Sequence, residues 1–218
     1  QEFKLLKLML SKEYLENRLK TELGTTETYE YEEEYKPYGY DVKVRHKLVP
    51  LGTLFHISAG NVELLAAFSI IEGLLTGNIN IVKLASSDDG LSVMLLKKLI
   101  DIEPLLKSFI FVFDIASDDI KTLKKISYLS DALVVWGADE AIRAARTFAG
   151  INTRIIEWGH KISFAYVSYD KNIDDIADKE LYSIAYNICD TNQLFCNSCQ
   201  GILLDSTDFN ELKTFAKR

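Results

Sequence analysis

The chain has 218 residues, of which 48% are hydrophobic and 26% are charged, and its formal net charge is −7. An acidic balance without a clustered basic face argues against a nucleic-acid partner. No apolar run reaches the roughly 18 residues that a membrane-spanning helix needs. The three cysteines lie close together, at 189, 196 and 199, which fits a reducing compartment better than a disulfide framework. We therefore expect a cytoplasmic protein with a packed core.

In chain order, the first predicted element is a helix over residues 2–23 that ends at Gly24. Residues 25–49 then alternate tyrosine or valine with charged residues, and a Pro-Tyr-Gly turn at 37–39 interrupts them. This period of two predicts antiparallel strands. The acidic run at 32–34 is interpreted as a solvated face.

The stretch from Pro50 to Ser87 predicts one strand–helix–strand unit. Leu51–Ser58 and Asn80–Leu84 are apolar strands, and Val62–Leu75 is a helix that is apolar almost all round. Such a helix must be buried, so the two strands joined through it indicate a parallel sheet with a right-handed crossover. In folds of this kind, ligands bind beyond the carboxyl ends of the strands.

Strands and helices continue to alternate after this unit, which is typical of an α/β fold. The predicted strands cover residues 109–113, 132–136, 153–156, 163–169 and 201–204, and the predicted helices cover 91–100, 118–127, 139–148, 173–188 and 209–217.

Three turns in this pattern carry polar residues that could bind a ligand. Asn61, between a strand and a helix, is either a helix N-cap or a side-chain donor to an oxyanion. Lys83 ends a strand, and it is either a surface lysine or a ligand of a ribose or phosphate, with Ser86 beside it. Gly137 separates a strand from a helix, and such a glycine lets a pyrophosphate approach the helix N-terminus.

The fourth candidate place combines residues 157–161, Glu-Trp-Gly-His-Lys, with the polar loop 192–200. Cys196 in this loop is either a nucleophile or a small buried residue. A metal site built from the three cysteines and His160, and a redox pair of Cys196 with Cys199, are weaker alternatives. We expect no metal.

The order and spacing of these motifs resemble the aldehyde dehydrogenase superfamily and, within it, the fatty acyl-CoA reductases of bacterial bioluminescence. Residues 57–61 resemble the strand that ends at the catalytic asparagine, and residues 73–78 and 81–83 resemble the turn and the cofactor lysine that follow it. Residues 157–161 resemble the E-L-G-G-K motif. Residues 193–200 resemble the Q-x-x-C-S-S-P-Q nucleophile loop. The resemblance covers residues 48–218.

The resemblance implies a catalytic role for three residues. Cys196 would attack a fatty acyl thioester and hold the acyl group. The side-chain amide of Asn61 and the backbone amide of Cys196 would stabilise the oxyanion, and hydride from a nicotinamide cofactor would release the aldehyde. Glu157 corresponds to the general base that activates water in aldehyde-oxidising members. In a reductase it would either handle protons or be a residue that is retained without a catalytic role. Cys199 replaces the proline of the nucleophile loop, and we choose Cys196 because Gln193 precedes it by three residues.

The resemblance also implies the cofactor contacts. Ser58, Lys83, Gly137 and Trp158 match cofactor-binding positions. NAD-preferring members carry a glutamate three residues after the lysine, where this chain has Ser86. The absence of that carboxylate removes a repulsion against a 2′-phosphate, so we expect NADP as the cofactor.

The implied organisation has three parts. Residues 1–47 hold the N-terminal helix and the Tyr-rich antiparallel strands, 48–160 form a Rossmann-like domain whose mostly parallel sheet is flanked by helices, and 161–218 begin a truncated α/β catalytic domain. The chain is expected to be a fragment of a longer polypeptide.

The expected partner is a fatty acyl-CoA or acyl-carrier substrate. By analogy with other proteins of this fold, the chain is also expected to form a homo-oligomer. The alternatives are an aldehyde dehydrogenase that acts in the oxidative direction and a non-catalytic interaction module that keeps the fold.

Overall fold

The computed structural model of the chain describes residues 7–28, 32–170, 172–193 and 196–218. The predicted beginning of the first helix at residues 2–6 lies outside these ranges, as do Tyr29 and Tyr31 of the first predicted strand. Within the described ranges, no helix has the length and hydrophobicity that crossing a membrane requires.

The N-terminal helix ends where the sequence predicts but is not continuous over residues 2–23, because Ser11 is extended and its hydroxyl caps a helix that begins at Lys12. Helix α1 (Lys12–Leu23) ends at Gly24, which adopts the left-handed conformation with a φ of 77°. Strands β1 (Glu32–Tyr35) and β2 (Val44–Lys47) then pair antiparallel. Their side chains are largely exposed, and ion pairs such as Arg45 with Glu34 at 3.4 Å join them. The acidic run is therefore a solvated, charge-paired strand.

Five parallel strands form the central sheet, and four helices connect them. The strands are β3 (Thr53–Ile57), β4 (Ile79–Lys83), β5 (Ile110–Phe113), β6 (Ala132–Trp136) and β7 (Arg154–Trp158), in the spatial order β5-β4-β3-β6-β7. The helices between them are α2 (Leu65–Leu75), α3 (Leu91–Ile102), α4 (Ile120–Tyr128) and α5 (Asp139–Phe148). The predicted α/β fold with a mostly parallel sheet is confirmed.

Two apolar cores show which helices cover which face of this sheet. One core joins α2 and α3 to the sheet through Ala66, Ala67, Ile70, Val82, Leu96 and Ile110. The other joins α4 and α5 to the sheet through Phe55, Leu123, Leu133, Val135, Ile142, Ala145 and Phe148. Both faces of the central strands are thus buried, as a parallel sheet requires.

The start of helix α2 differs from the prediction. The sequence pattern places it at Val62, whereas the helix begins at Leu65. The preceding Leu64 has a φ of 60°, in the left-handed region, and an α-helix cannot continue through that conformation. Asn61 is therefore not the N-cap of α2, and its side chain is not used for capping.

A second, two-stranded sheet follows. Strands β8 (Ser163–Val167) and β9 (Cys199–Leu204) pair parallel, with helix α6 (Asp178–Cys189) between them and helix α7 (Phe209–Lys217) after them. The predicted helix over 173–188 was too long at its start. Ile173 and Ile176 are buried in the small core beneath β8, and this contact holds Ile173–Asp175 as a separate 3₁₀ turn.

Gly73 allows α2 to pack closely on β4. A Cβ at this position would lie 1.8 Å from Oδ1 of Asn80 and 3.2 Å from Cδ1 of Leu54. Glycine inside a helix otherwise costs about 1 kcal/mol relative to alanine. Replacing Gly73 by alanine would therefore improve helix propensity but create a clash with Asn80. The clash is the larger effect because the Asn80 side chain is fully buried.

We predict that Gly73→Ala lowers the free energy of unfolding by about 2 kcal/mol, although helix propensity alone favours alanine. Urea unfolding followed by tryptophan fluorescence measures the change. Ser183→Ala, on the exposed surface of α6, is the control and should be neutral or slightly stabilising. A Gly73→Ala protein that is more stable than the wild type would contradict the packing argument.

Candidate active site

The carboxyl ends of β3, β4, β6 and β7 lie at one edge of the central sheet because the strands are parallel. From β3 the chain proceeds outward to β4 and β5, and it then returns to β6 on the other side of β3. Such a reversal between neighbouring strands opens a crevice where ligands bind. Asn61 follows β3 and Gly137 follows β6, so the two residues flank this crevice.

Ser58 and Lys83 join the ends of β3 and β4. The buried Ser58 hydroxyl donates to the Lys83 carbonyl oxygen at 3.2 Å and accepts from the Ala85 N–H at 3.0 Å. Lys83 is only 4% exposed, and its Nζ donates to Oγ of Ser117 at 2.7 Å. Burial lowers the pKa of Lys83, and nearby Asp114 partly opposes this shift. Lys83 is therefore a buried ammonium group at the sheet edge and not a surface lysine.

The loops after these two strands also touch. The Ser87 hydroxyl donates to the Gly60 carbonyl oxygen at 3.3 Å, and a Cβ at Gly60 would lie 1.8 Å from that hydroxyl. Asn61 and Ser86, on either side of this contact, are both exposed. Among the described residues, neither of these two side chains forms a hydrogen bond that would hold it to the protein.

Gly137 and Trp158 are neighbours at the ends of β6 and β7. The Gly137 N–H donates to the Trp158 carbonyl oxygen at 3.3 Å. The indole of Trp158 stacks on that of Trp136, with ring centroids 4.8 Å apart and planes inclined by 8°. Trp158 is 43% exposed, so part of this aromatic pair faces solvent.

A chain of buried hydrogen bonds, which the sequence analysis missed, connects this pair to the interior. Nε1–H of Trp136 donates to the Ser69 hydroxyl at 3.1 Å, and that hydroxyl lies 2.7 Å from Nδ1 of His56. His56 Nε2 lies 3.0 Å from Oδ1 of Asn80, whose amide donates to the Asn78 carbonyl oxygen. These partners assign the proton to Nε2. Burial lowers the pKa of His56 to about 4, so the imidazole is neutral.

One signal in the sequence could have revealed this network. Ser69, Glu72 and Gly73 interrupt the apolar run of α2 at positions i, i+3 and i+4, which places all three on one face of the helix. That face contacts His56, a polar residue in the middle of an otherwise apolar strand.

Glu157 is held by an arginine that the sequence analysis also missed. Its two carboxylate oxygens accept from Nε and Nη2 of Arg146, at 2.6 and 2.8 Å. Hydrogen bonding from Arg146 holds the pKa of the Glu157 carboxyl below its usual value. The partner lies eleven residues earlier, on α5, and only the packing of α5 beside β7 brings the two together. No local spacing indicates such a pair.

The cysteines differ in their surroundings, although all three are free. Cys196 is exposed, and its carbonyl oxygen accepts from the Ser163 hydroxyl at 2.6 Å. Cys199 is buried; its N–H donates to Oδ1 of Asn187 at 2.9 Å, and its thiol lies 3.1 Å from the Gly201 carbonyl oxygen. Leu194 and Phe195, in the same loop, lie outside the described residues. Of the two cysteines in the loop 192–200, Cys196 is the accessible one; Cys189, at the end of α6, is also exposed.

The predicted site residues therefore fall into two groups. Ser58, Lys83, Gly137 and Trp158 lie together at the carboxyl edge of the sheet. Cys196 is attached to β8 through Ser163, which follows Trp158 by five residues. Among the described residues, no hydrogen bond joins Cys196 to Asn61 or to Glu157. Over the same ranges, no three His, Cys, Asp or Glu side chains are grouped as metal ligands would be.

A cavity of about 370 Å³ lies on the face of the sheet that carries α2. Its walls are mainly apolar, including Leu54, Val134 and Ile156, and its polar wall includes His56 and Ser69. These two side chains are hydrogen-bonded to each other, and their remaining polar contacts are to Asn80 and Trp136. The lining also includes Glu72, Arg154 and Trp158.

Solved structures show the class of protein that this arrangement defines. The chain superposes on PutA, a putative aldehyde dehydrogenase of Anabaena variabilis, with a TM-score of 0.66 and 17% identity; the match covers 99% of this chain and 44% of that one. It superposes on an NADP-dependent enzyme of Escherichia coli with a TM-score of 0.65 and 15% identity, covering 86% and 38%. The chain has an aldehyde dehydrogenase-like α/β fold.

The family follows from sequence comparison. The model of the acyl-CoA reductase (LuxC) family matches residues 1–218. The chain is 30% identical over 210 residues to the long-chain acyl-protein thioester reductase of Vibrio harveyi, an alignment that covers 94% of this chain and 42% of the relative. It thus spans about two fifths of that relative's length. The chain belongs to the acyl-CoA reductase (LuxC) family, as its motifs predict.

The neutral His56 makes stability depend on pH in a definite direction. Its pKa is about 4 in the folded chain and 6.5 when unperturbed, so protonation favours the unfolded chain. The stability that His56 contributes is present in full above pH 6.5 and is lost as the pH falls towards 4.

We predict that wild-type protein loses about 3 kcal/mol more stability between pH 7 and pH 4 than His56→Gln does. Urea unfolding at a series of pH values measures both curves. His160→Gln, which removes an exposed histidine, should keep the wild-type slope. Equal slopes for wild type and His56→Gln would show that His56 is not buried in its neutral form.

Proposed function

We propose that this chain carries the cofactor-binding domain and the nucleophile loop of an NADP-dependent reductase that converts a fatty acyl thioester to an aldehyde. The observation that carries the proposal is the assembly of Ser58, Lys83, Gly137 and Trp158 at one sheet edge, in a member of the acyl-CoA reductase (LuxC) family. The reductase of Vibrio harveyi, by its name, acts on long-chain acyl-protein thioesters. An acyl-protein or an acyl-CoA thioester is the proposed substrate.

In the proposed reaction Cys196 is the nucleophile. Its thiolate adds to the thioester carbonyl, the original carbon–sulfur bond breaks, and the acyl group is retained on Cys196 while the donor thiol leaves. The Asn61 side-chain amide and the Cys196 N–H would donate to the oxyanion. The exposure of both side chains supports these roles, and the burial of Cys199 makes it the less accessible thiol of the nucleophile loop.

The residues at the sheet edge fit a nicotinamide dinucleotide. Lys83 places an ammonium group at this edge, where the residue is 4% exposed, and its Nζ has donors in addition to the one used by Ser117. Gly137 lacks a Cβ, which would lie 3.0 Å from Cβ of Ala141, and Trp158 offers a partly exposed ring. Ser86 is exposed beside Lys83 and bears no charge that would repel a 2′-phosphate. When bound, NADPH would supply the hydride that reduces the acyl group.

The pairing of Glu157 argues against the oxidative alternative. An aldehyde dehydrogenase that forms an acid needs a carboxylate free to accept a proton from water. Both oxygens of Glu157 accept hydrogen bonds from Arg146, and the pKa of the carboxyl is lowered. The reductive direction is therefore the one that we propose.

We predict that the full-length enzyme, incubated with a long-chain acyl-CoA and without NADPH, gains one acyl group on Cys196. Intact-mass measurement followed by peptide mapping locates it, and hydroxylamine should remove it because it is a thioester. Cys196→Ala should lose the adduct, whereas Cys199→Ser should retain it. An adduct on Cys199, or none on the wild type, would refute the proposed nucleophile.

We predict that Ser86→Glu reverses the cofactor preference. A carboxylate at this position would repel a 2′-phosphate and accept hydrogen bonds from ribose hydroxyls, so kcat/KM for NADPH should fall on the order of tenfold or more relative to NADH. Ser183→Glu makes the same charge change on the exposed surface of α6 and should leave the ratio unchanged. A wild-type enzyme that already prefers NADH would contradict the cofactor assignment.

A further inference from the structure

The contact between Arg146 and Glu157 differs from the neighbouring ion pair on the same helix. Arg146 donates to both carboxylate oxygens, through Nε at 2.6 Å and through Nη2 at 2.8 Å. Arg143, three residues earlier on the same helix, reaches Asp139 at 3.6 Å, within a single turn. The first pair spans from the last turn of α5 to the end of β7, whereas the second is an ordinary surface pair.

The location of the Arg146–Glu157 pair links it to the proposed chemistry. Glu157 precedes Trp158 at the carboxyl edge of the sheet, and the backbone of Trp158 contacts Gly137. Its side chain is 29% exposed, so water can reach the carboxylate if the guanidinium moves away. Ser163, which binds the Cys196 carbonyl oxygen, follows Glu157 by six residues. A short segment therefore connects Glu157 to β8, the strand to which the nucleophile loop is bound.

An acyl group on Cys196 has two fates. Reduction gives the aldehyde. Hydrolysis gives the fatty acid: a base takes a proton from water, the water oxygen adds to the carbonyl carbon, the bond to Sγ breaks, and the thiolate recovers the proton. General-base assistance of such a step is worth roughly 10²- to 10⁴-fold. A free carboxylate near the acyl group would therefore waste substrate.

We propose that Arg146 is a positioning residue that suppresses hydrolysis of the acyl-enzyme by holding both oxygens of Glu157. The inference rests on the proposed function, because it presumes an acyl group on Cys196. The guanidinium takes one acceptor position on each oxygen and stabilises the ionised carboxylate, which makes Glu157 a weaker base. The reductive outcome thus depends on the partner of Glu157 as well as on the cofactor.

The test measures acyl-enzyme hydrolysis in the full-length protein. Five proteins are acylated with a long-chain acyl-CoA in the absence of NADPH: wild type, Arg146→Gln, Arg146→Lys, Arg143→Gln and the double variant Arg146→Gln/Glu157→Gln. Loss of the Cys196 adduct is followed by intact mass. The acid-to-aldehyde ratio is then measured with NADPH, and hydrolysis by Arg146→Gln is recorded from pH 4 to 8.

We expect Arg146→Gln to hydrolyse its adduct on the order of tenfold faster or more, with a dependence on one carboxyl group in the pH profile. Arg146→Lys keeps the charge but not the two parallel hydrogen bonds, and it should be intermediate. Arg143→Gln should behave as wild type. The increase in the hydrolysis rate should disappear in the double variant. A merely structural role of Arg146 does not require that loss.

The outcomes separate this inference from the proposed function. A wild-type enzyme that forms no Cys196 adduct overturns the proposed function and this inference with it. An adduct whose hydrolysis is unchanged in both Arg146 variants overturns the inference alone. A faster hydrolysis that persists in the double variant also overturns it, because water is then activated without Glu157.

Discussion

His56 lies in the central strand β3, and its two ring nitrogens join helix α2 to strand β4 through Ser69 and Asn80. Because the imidazole is neutral, one ring nitrogen donates a hydrogen bond and the other accepts one. One partner must therefore be an acceptor and the other a donor. The close approach that this arrangement requires exists only because Gly73 has no side chain beside Asn80. A fully paired polar group in an apolar interior specifies one packing, whereas an unpaired one would be costly. The register between α2 and the two strands therefore depends on this histidine.

The same network extends to the edge where the candidate site lies. Ser69 also accepts from Trp136, and Trp136 stacks on Trp158, so α2 is coupled to the ends of β6 and β7. Ser58 and Lys83 fix the ends of β3 and β4 in a similar way. Four strand ends are thus positioned by contacts within the protein. Groups held in this way need little reorganisation when a ligand binds, which reduces the entropic cost of assembling a site.

The sequence determined the fold more completely than it determined the site. The bounds of β6, α5 and α7 agree with their predicted ranges, because apolar runs there end at glycine or polar residues. The start of α2 was missed because the backbone conformation of Leu64 has no counterpart in the local pattern. The rule for parallel sheets was sufficient to place Lys83 and Gly137 at one edge. Partners such as Ser69 for His56, or Arg146 for Glu157, depend on the packing of separate elements, and residue spacing does not encode them.

The pairing of Glu157 shows why a matching motif residue does not settle its role. The same carboxylate can be a base, a hydrogen-bond acceptor or one half of an ion pair, and its neighbours decide which. Here the guanidinium of Arg146 donates to both oxygens, while Cys196 remains exposed and Cys199, the first residue of β9, is buried. Under the proposed function, an accessible nucleophile combined with a restrained base would favour transfer of an acyl group over its hydrolysis. The proposed partition between the two outcomes would then depend on the contacts of the site residues, which the motif alone does not reveal.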